Sequence, residues 1–168
     1  IGGEQACAAL VEALPDAAGA RRVTIAKALG DLRCHTAGDA LRADAVSEAP
    51  PLRRTALYAL ANIGVPEAQP IFEEALRAES NYEQALAASS ALLYARRIAE
   101  QGDEEAGVAL CRKLLTAEAQ VACAALSTLV DLQGDDALED MVAAMDSDNA
   151  ALRATALEAA ADFSGREA

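Results

Sequence analysis

Three short constellations carry the residue types that chemistry needs. Cys34-His35 with Asp39 sets a thiol, an imidazole and a carboxylate close together, a grouping that suggests a metal site or an activated thiolate. His35 is the only histidine of the chain, which excludes a site built from two or three imidazoles. Adjacent residues on a loop seldom aim at one atom, and no second cysteine lies within four residues. The favoured reading is a loop histidine beside a half-buried cysteine. Asp146-Ser147-Asp148-Asn149 has the oxygen spacing of a calcium loop but lacks the glycine and later glutamate of an EF-hand. Asp148 or Asn149 reads better as the N-cap of a helix. Arg21-Arg22, Arg53-Arg54 and Arg96-Arg97 suggest an anion stripe. The preferred reading gives one Arg of each pair to an Asp or carbonyl of a neighbouring turn and leaves the other solvated. Ser89-Ser90 has no base in sequence reach and reads as a point of close helix approach. No phosphate loop, GxSxG, HExxH or GxGxxG occurs. No catalytic, cofactor-binding or metal-binding residue is expected.

The elements behind these residues follow from composition and period. The chain is 53% apolar but only 3% aromatic, with no Trp, so its apolar content is mostly Ala and Leu. These are the best helix formers and they suit closely approaching helices. No alternating Val/Ile/Thr run supplies a strand, so the fold class read here is all-α. No apolar run approaches the ~20 residues that span a bilayer. The excess of Arg over Lys, with so much Ala, fits the coding bias of a GC-rich bacterial genome. Cys7, Cys34, Cys111 and Cys123 show no CxxC pair, and a chain of 168 residues is long enough to build its own core. Free buried thiols are therefore expected, with Cys111 and Cys123 in the core beside Leu114 and Leu126.

Leu52–Ala68 reads LRRTALYALANIGVPEA, and Leu152–Ala168, 100 residues on, reads LRATALEAAADFSGREA. Along the chain the turns and first-helix cores recur at spacings of 31, 38, 32 and 31 residues, a repeat with one swollen member. Each unit is a helical hairpin: a first helix with a Thr-Ala-Leu core, a Gly-Asp type turn, and a second helix of pattern A-x-x-x-(L/F)-x-x-x-L. The expected helices are Glu4–Leu14, Arg21–Leu32, Gly38–Ser47, Leu52–Ile63, Pro66–Arg77, Asn81–Gln101, Val108–Leu115 and Leu138–Met145. A loop is expected at Arg33–Ala37 and a C-cap at Gly64, and Leu57 and Leu60 are expected inside.

LRRTALYALANIGVPEAQPIFEEAL resembles a HEAT repeat of the short bacterial kind: an Arg near the start, an Ala-Leu-Gly ending, a Gly-Asp turn and a closing Leu. Arg22, Arg53 and Arg153 fall at the family's arginine, and Leu29-Gly30-Asp31-Leu32 at its first-helix ending. The unit at Ala85–Leu115 departs and is similar to a tetratricopeptide hairpin. The resemblance implies a right-handed α-α superhelix, an armadillo-type solenoid of about four hairpins with partial repeats at both ends. The whole of 1–168 is then one solenoid segment of a longer protein. The chain opens at a mid-repeat turn over Ile1–Ala6, and Ser164–Ala168 stops where a second helix begins.

Of the net charge of −13, second helices with their turns hold −12, and residues 135–146 alone hold −5. In HEAT-like arrays second helices line the concave side, so the resemblance implies an acidic inner surface. Such a surface repels phosphate backbones, which excludes nucleic acid as the expected partner. A basic protein segment suits it, with Glu73, Glu74, Asp136, Glu139 and Asp140 as contacts. The plainer reading is that these acids solvate an Ala-rich array and sit favourably near helix starts. The resemblance also implies two alternatives, a lyase attaching a bilin chromophore to a protein or an accessory repeat domain of an exported carbohydrate-active enzyme. A pocket lined by Tyr58, Tyr94 and Cys123 would favour the lyase.

Overall fold

Every described element of the chain is helical, and no strand occurs among the described residues. The computed structural model describes the backbone of residues 3–164 and the side chains of 3–161. The turn at residues 1–2 and the second helix expected to begin at 165–168 lie outside the described residues. Two compact units form, Ile1–Ile98 and Ala99–Ala168.

In the first unit, helices α1 (Gly3–Ala13), α2 (Gly19–Asp31), α3 (Gly38–Ala45), α4 (Pro50–Ile63), α5 (Gln69–Ala75) and most of α6 (Asn81–Glu100) follow in order. Odd-numbered helices are of the second type here and even-numbered ones of the first. α4 starts at Pro50-Pro51, where a missing N–H costs nothing. It ends at Gly64, whose left-handed φ of 73° lets its N–H reach the carbonyls of Leu60 and Ala61. The Ala/Leu composition shows its purpose between α2 and α4. A Cβ placed on Gly30 would stand 2.6 Å from the Cα of Ala59, so the two backbones nearly touch. Leu57 and Leu60 are buried, as their spacing requires.

The expected helix Pro66–Arg77 is a 3-10 turn, Pro66–Ala68, followed by a short α5. Proline fits the break, although the turns at His35–Ala37 and Gly134–Ala137 form without one. Pro70 has no N–H to give the carbonyl four residues back, so the Pro66 oxygen needs another donor. Tyr94 supplies it from α6: its hydroxyl donates to the Pro66 carbonyl at 2.9 Å, and its ring stacks on Phe72 at 4.6 Å between centroids. Similar 3-10 turns, His35–Ala37 and Gly134–Ala137, precede α3 and the helix Leu138–Met145.

The second unit holds α7 (Glu104–Leu114), α8 (Ala119–Gln133), α9 (Leu138–Met145) and α10 (Ala150–Ser164). Ala122, Leu126, Met141, Ala144, Leu152 and Ala156 form its core, with Cys123 packed at the margin. Asp103 caps α7 by accepting from the Ala106 N–H at 3.2 Å. Asn149, not Asp148, caps α10, accepting from Ala151 at 3.0 Å and Leu152 at 3.3 Å.

The 100-residue echo is physical. Arg53 donates to the Ser47 carbonyl at 2.9 Å and Arg153 to the Ser147 carbonyl at 2.7 Å. The Ser47 and Ser147 hydroxyls accept in turn from Ala49 at 3.2 Å and Asn149 at 3.1 Å.

Two expectations are corrected. Cys7 and Cys34 are joined in a disulfide, while Cys111 and Cys123 are not disulfide-bonded. Packing of α1 against the end of α2 brings their Cα atoms to 5.7 Å, a bridging distance that a separation of 27 residues does not reveal. The thiol–imidazole reading at Cys34-His35 falls with it. Second, both members of one arginine pair are engaged. Arg53 holds the Ser47 carbonyl, and Arg54 holds Glu83 across to α6 instead of being solvated. Arg22 does as expected, binding Asp44 at 2.8 and 3.0 Å and the Leu14 carbonyl at 2.9 Å.

Candidate interaction surface

The five acids singled out in the sequence fall into two groups. Glu73 and Glu74 stand on α5 in the first unit. Asp136, Glu139 and Asp140 stand on α9 and the turn before it in the second, at the three- and four-residue spacing that shares one helix face.

Their environments differ. Glu74 is exposed and pairs with Arg77 at 2.7 Å, whereas Glu73 is half-buried and accepts from the Gln69 amide at 3.3 Å. Asp136 and Glu139 are exposed. Asp140 turns inward to Arg112 of α7, accepting from Nε at 3.1 and 3.2 Å and from Nη2 at 2.9 Å. That hydrogen bond, followed by the charges of Asp140 and Glu139, raises the Arg112 pKa against the opposing cost of burial. Asp140 is thus largely compensated, and Asp136 with Glu139 present the outward negative charge of this face. Beside them Leu138 and Val142, 59% and 51% exposed, form an apolar pair one helical turn apart.

A groove in the first unit runs between α4 and α6, lined by Arg54, Leu57, Tyr58, Glu83, Ser89 and Ser90 among others. Arg54 donates to both carboxylate oxygens of Glu83 and lies 4.9 Å from the centroid of the Tyr82 ring. The Arg54 hydrogen bond holds Glu83 below the usual carboxylate range. No histidine lines the groove and its one carboxylate is committed, so it offers Ser89-Ser90 no general base.

Tyr58 donates to Asp31 at 2.9 Å, and Lys27 donates to the other oxygen of Asp31 at 2.6 Å. Asp31 is accordingly lowered, by Lys27 first and Tyr58 second, while the Tyr58 phenol is raised by its bond to Asp31 and then by burial. Tyr94 is buried in the first unit's core and Cys123 packs at the margin of the second unit's core, so each has a structural role where it stands. Among the described residues no group of three or more His, Cys, Asp or Glu is placed to hold a metal ion. No described helix is long and apolar enough to cross a membrane.

One polar residue of the first-helix ending has a bridging role that its sequence position does not reveal. Asn62 is 9% exposed on the last turn of α4; its amide donates to the Gly30 carbonyl at 3.0 Å and its oxygen accepts from Arg97 at 3.1 and 3.2 Å. It thereby joins α2, α4 and α6. The available signal was an amide inside the apolar run Leu60–Ile63.

Helical hairpins repeating one register, with an arginine tied to the preceding turn and an amide bridging successive first helices, define an all-α repeat protein of the solenoid class. The family model for HEAT repeats matches residues 7–93, just over half of the chain, and the chain belongs to that family. HEAT repeats generally mediate protein–protein interaction or scaffolding. No curated protein matches the chain.

Proposed function

We propose that this chain is a non-catalytic protein-binding module of a larger bacterial protein, whose acidic second helices take a basic segment of the partner. One observation carries the reading: of the five carboxylates that give residues 135–146 their charge of −5, Asp136 and Glu139 stand exposed beside the exposed apolar pair Leu138 and Val142. A segment with Lys or Arg flanking an apolar residue complements both features. Glu73 and Glu74 extend the same chemistry to the first unit. Nucleic acid does not suit a surface of this sign.

The test is capture of the partner by the full-length parent, at about 0.15 M and again at about 1 M salt, where the Debye length falls from ~8 to ~3 Å. Capture through exposed acids is lost at high salt. Salt-insensitive capture removes the proposal.

A further inference from the structure

Successive first helices of the first unit are spaced in two ways. α2 and α4 touch through their backbones, with Gly30 against Ala59. α4 and α6 are joined instead by long side chains, Arg54 to Glu83 near one end of α4 and Arg97 to Asn62 near the other. Between these struts the gap stays open. Ser89 and Ser90, expected as a point of close helix approach, line a groove of about 180 Å³. All of its lining residues fall between 54 and 90, inside the first unit and far in sequence from either end of the chain.

The lining is largely apolar. Leu57 and Ala87 are buried, Leu86 is half-buried, and the Tyr58 ring is fixed by donation of its hydroxyl to Asp31. An apolar cavity of about 150 Å³ accepts a benzene ring, so this groove has room for one aromatic or branched aliphatic side chain.

Polar groups without protein partners stand around it. Thr24, Ser127, Thr128 and Thr155 each donate to the carbonyl four residues back, as helical hydroxyls often do. The Ser89 and Ser90 hydroxyls have no partner among the described residues. Arg54 gives Nε and Nη2 to Glu83, which leaves Nη1 without an acceptor. Arg53 Nη2 is 3.9 Å from the same carboxylate, so two guanidiniums share one negative charge. Lys27 and Asp31, beside Tyr58, cancel. The groove is therefore locally positive: residues 50–65 hold +2 in a chain of net charge −13.

We propose that the groove between α4 and α6 is a further docking site, which takes one leucine or aromatic side chain of an acidic protein segment. The anchor packs against Leu57 and Leu86, a carboxylate beside it accepts from Arg54 Nη1, and main-chain groups of the segment pair with the Ser89 and Ser90 hydroxyls. The sign is opposite to that of the surface on α9, so this site selects a different segment and does not rest on the proposed function.

The test is selection of a phage-displayed random peptide library on the 168-residue chain, followed by titration of the selected peptides, fluorescently labelled, into wild type and variants. The selection should yield peptides in which a leucine or aromatic residue is flanked by Asp or Glu. Ser90→Trp, which fills the groove, should weaken these peptides tenfold or more, with Ser89→Trp in its place if the first variant loses the wild-type helical spectrum. Arg54→Gln should weaken them about tenfold, the loss of one charge-assisted hydrogen bond. The double variant Asp136→Lys, Glu139→Lys should leave their affinity within about twofold of wild type, since its sites lie outside the groove. A selection without acid-flanked binders overturns the proposal, as do acid-flanked peptides indifferent to both groove variants. Basic-flanked peptides alone, lost with the double variant and indifferent to the groove, overturn it while supporting the proposed function.

Discussion

Gly30→Ala sets two forces of opposite sign against each other at the closest approach in the first unit. In a helix interior Ala is favoured over Gly by about 1 kcal/mol, so propensity alone predicts a gain in stability. The new Cβ, however, would sit 2.6 Å from Ala59 Cα and 2.7 Å from Ala59 Cβ. Carbon atoms pack at about 3.5–4.0 Å, so α2 and α4 must part by roughly 1 Å. Overpacking of this kind costs about 1–3 kcal/mol. Parting the helices also stretches the 3.0 Å bond from Asn62 to the Gly30 carbonyl, and a lost buried hydrogen bond costs about 1–3 kcal/mol. After the propensity gain, the net expectation is a loss of about 1–5 kcal/mol. Adding Ala59→Gly should rescue only part of this, because the closest atom is backbone. Urea unfolding followed by helical circular dichroism reads the result as a lower midpoint at constant slope. A midpoint equal to wild type, or higher, refutes the close approach of α2 and α4.

Three further outcomes follow from the same structure. Leu60→Ala should cost ~2–5 kcal/mol, whereas Glu73→Ala should change stability little, and equal midpoints for the two would contradict the assigned helix faces. Cys7→Ala, or reduction of the wild type, should lower stability by about 3–4 kcal/mol on loop-closure entropy for a separation of 27 residues, read as a lower melting temperature with no effect of reductant on the variant. Asp31 and Glu83 both have lowered pKa values in the fold, so their stabilisation is present above the ordinary carboxylate range near pH ~4 and is lost as pH falls through their depressed values. Glu83→Gln should flatten that acid limb of the melting profile; an unchanged limb would exclude the Arg54–Glu83 pair as a source.

The hairpin register was legible because it is written in apolar spacing. The second helix Leu138–Met145 and the Gly64 cap stand where periodicity and turn chemistry put them. What stayed hidden depends on contacts between elements far apart in sequence. Nothing local ties Tyr94 to the carbonyl that Pro70 leaves free, Arg112 to Asp140, or Cys7 to Cys34. The acidic set illustrates both sides. Its helix and face could be read from spacing, but the difference between a compensated Asp140 and an outward Glu139 arises from one guanidinium 28 residues upstream.

The central functional claim is that outward acids on α9 recognise a basic segment. Its most direct measurement is titration of a Lys/Arg-flanked apolar peptide from the partner into the wild-type protein and into the double variant Asp136→Lys, Glu139→Lys, across a salt series. The account predicts that the wild-type protein binds and loses affinity as salt rises, and that the variant binds more weakly with a shallower salt dependence. Equal affinity and equal salt dependence for the two proteins would contradict it.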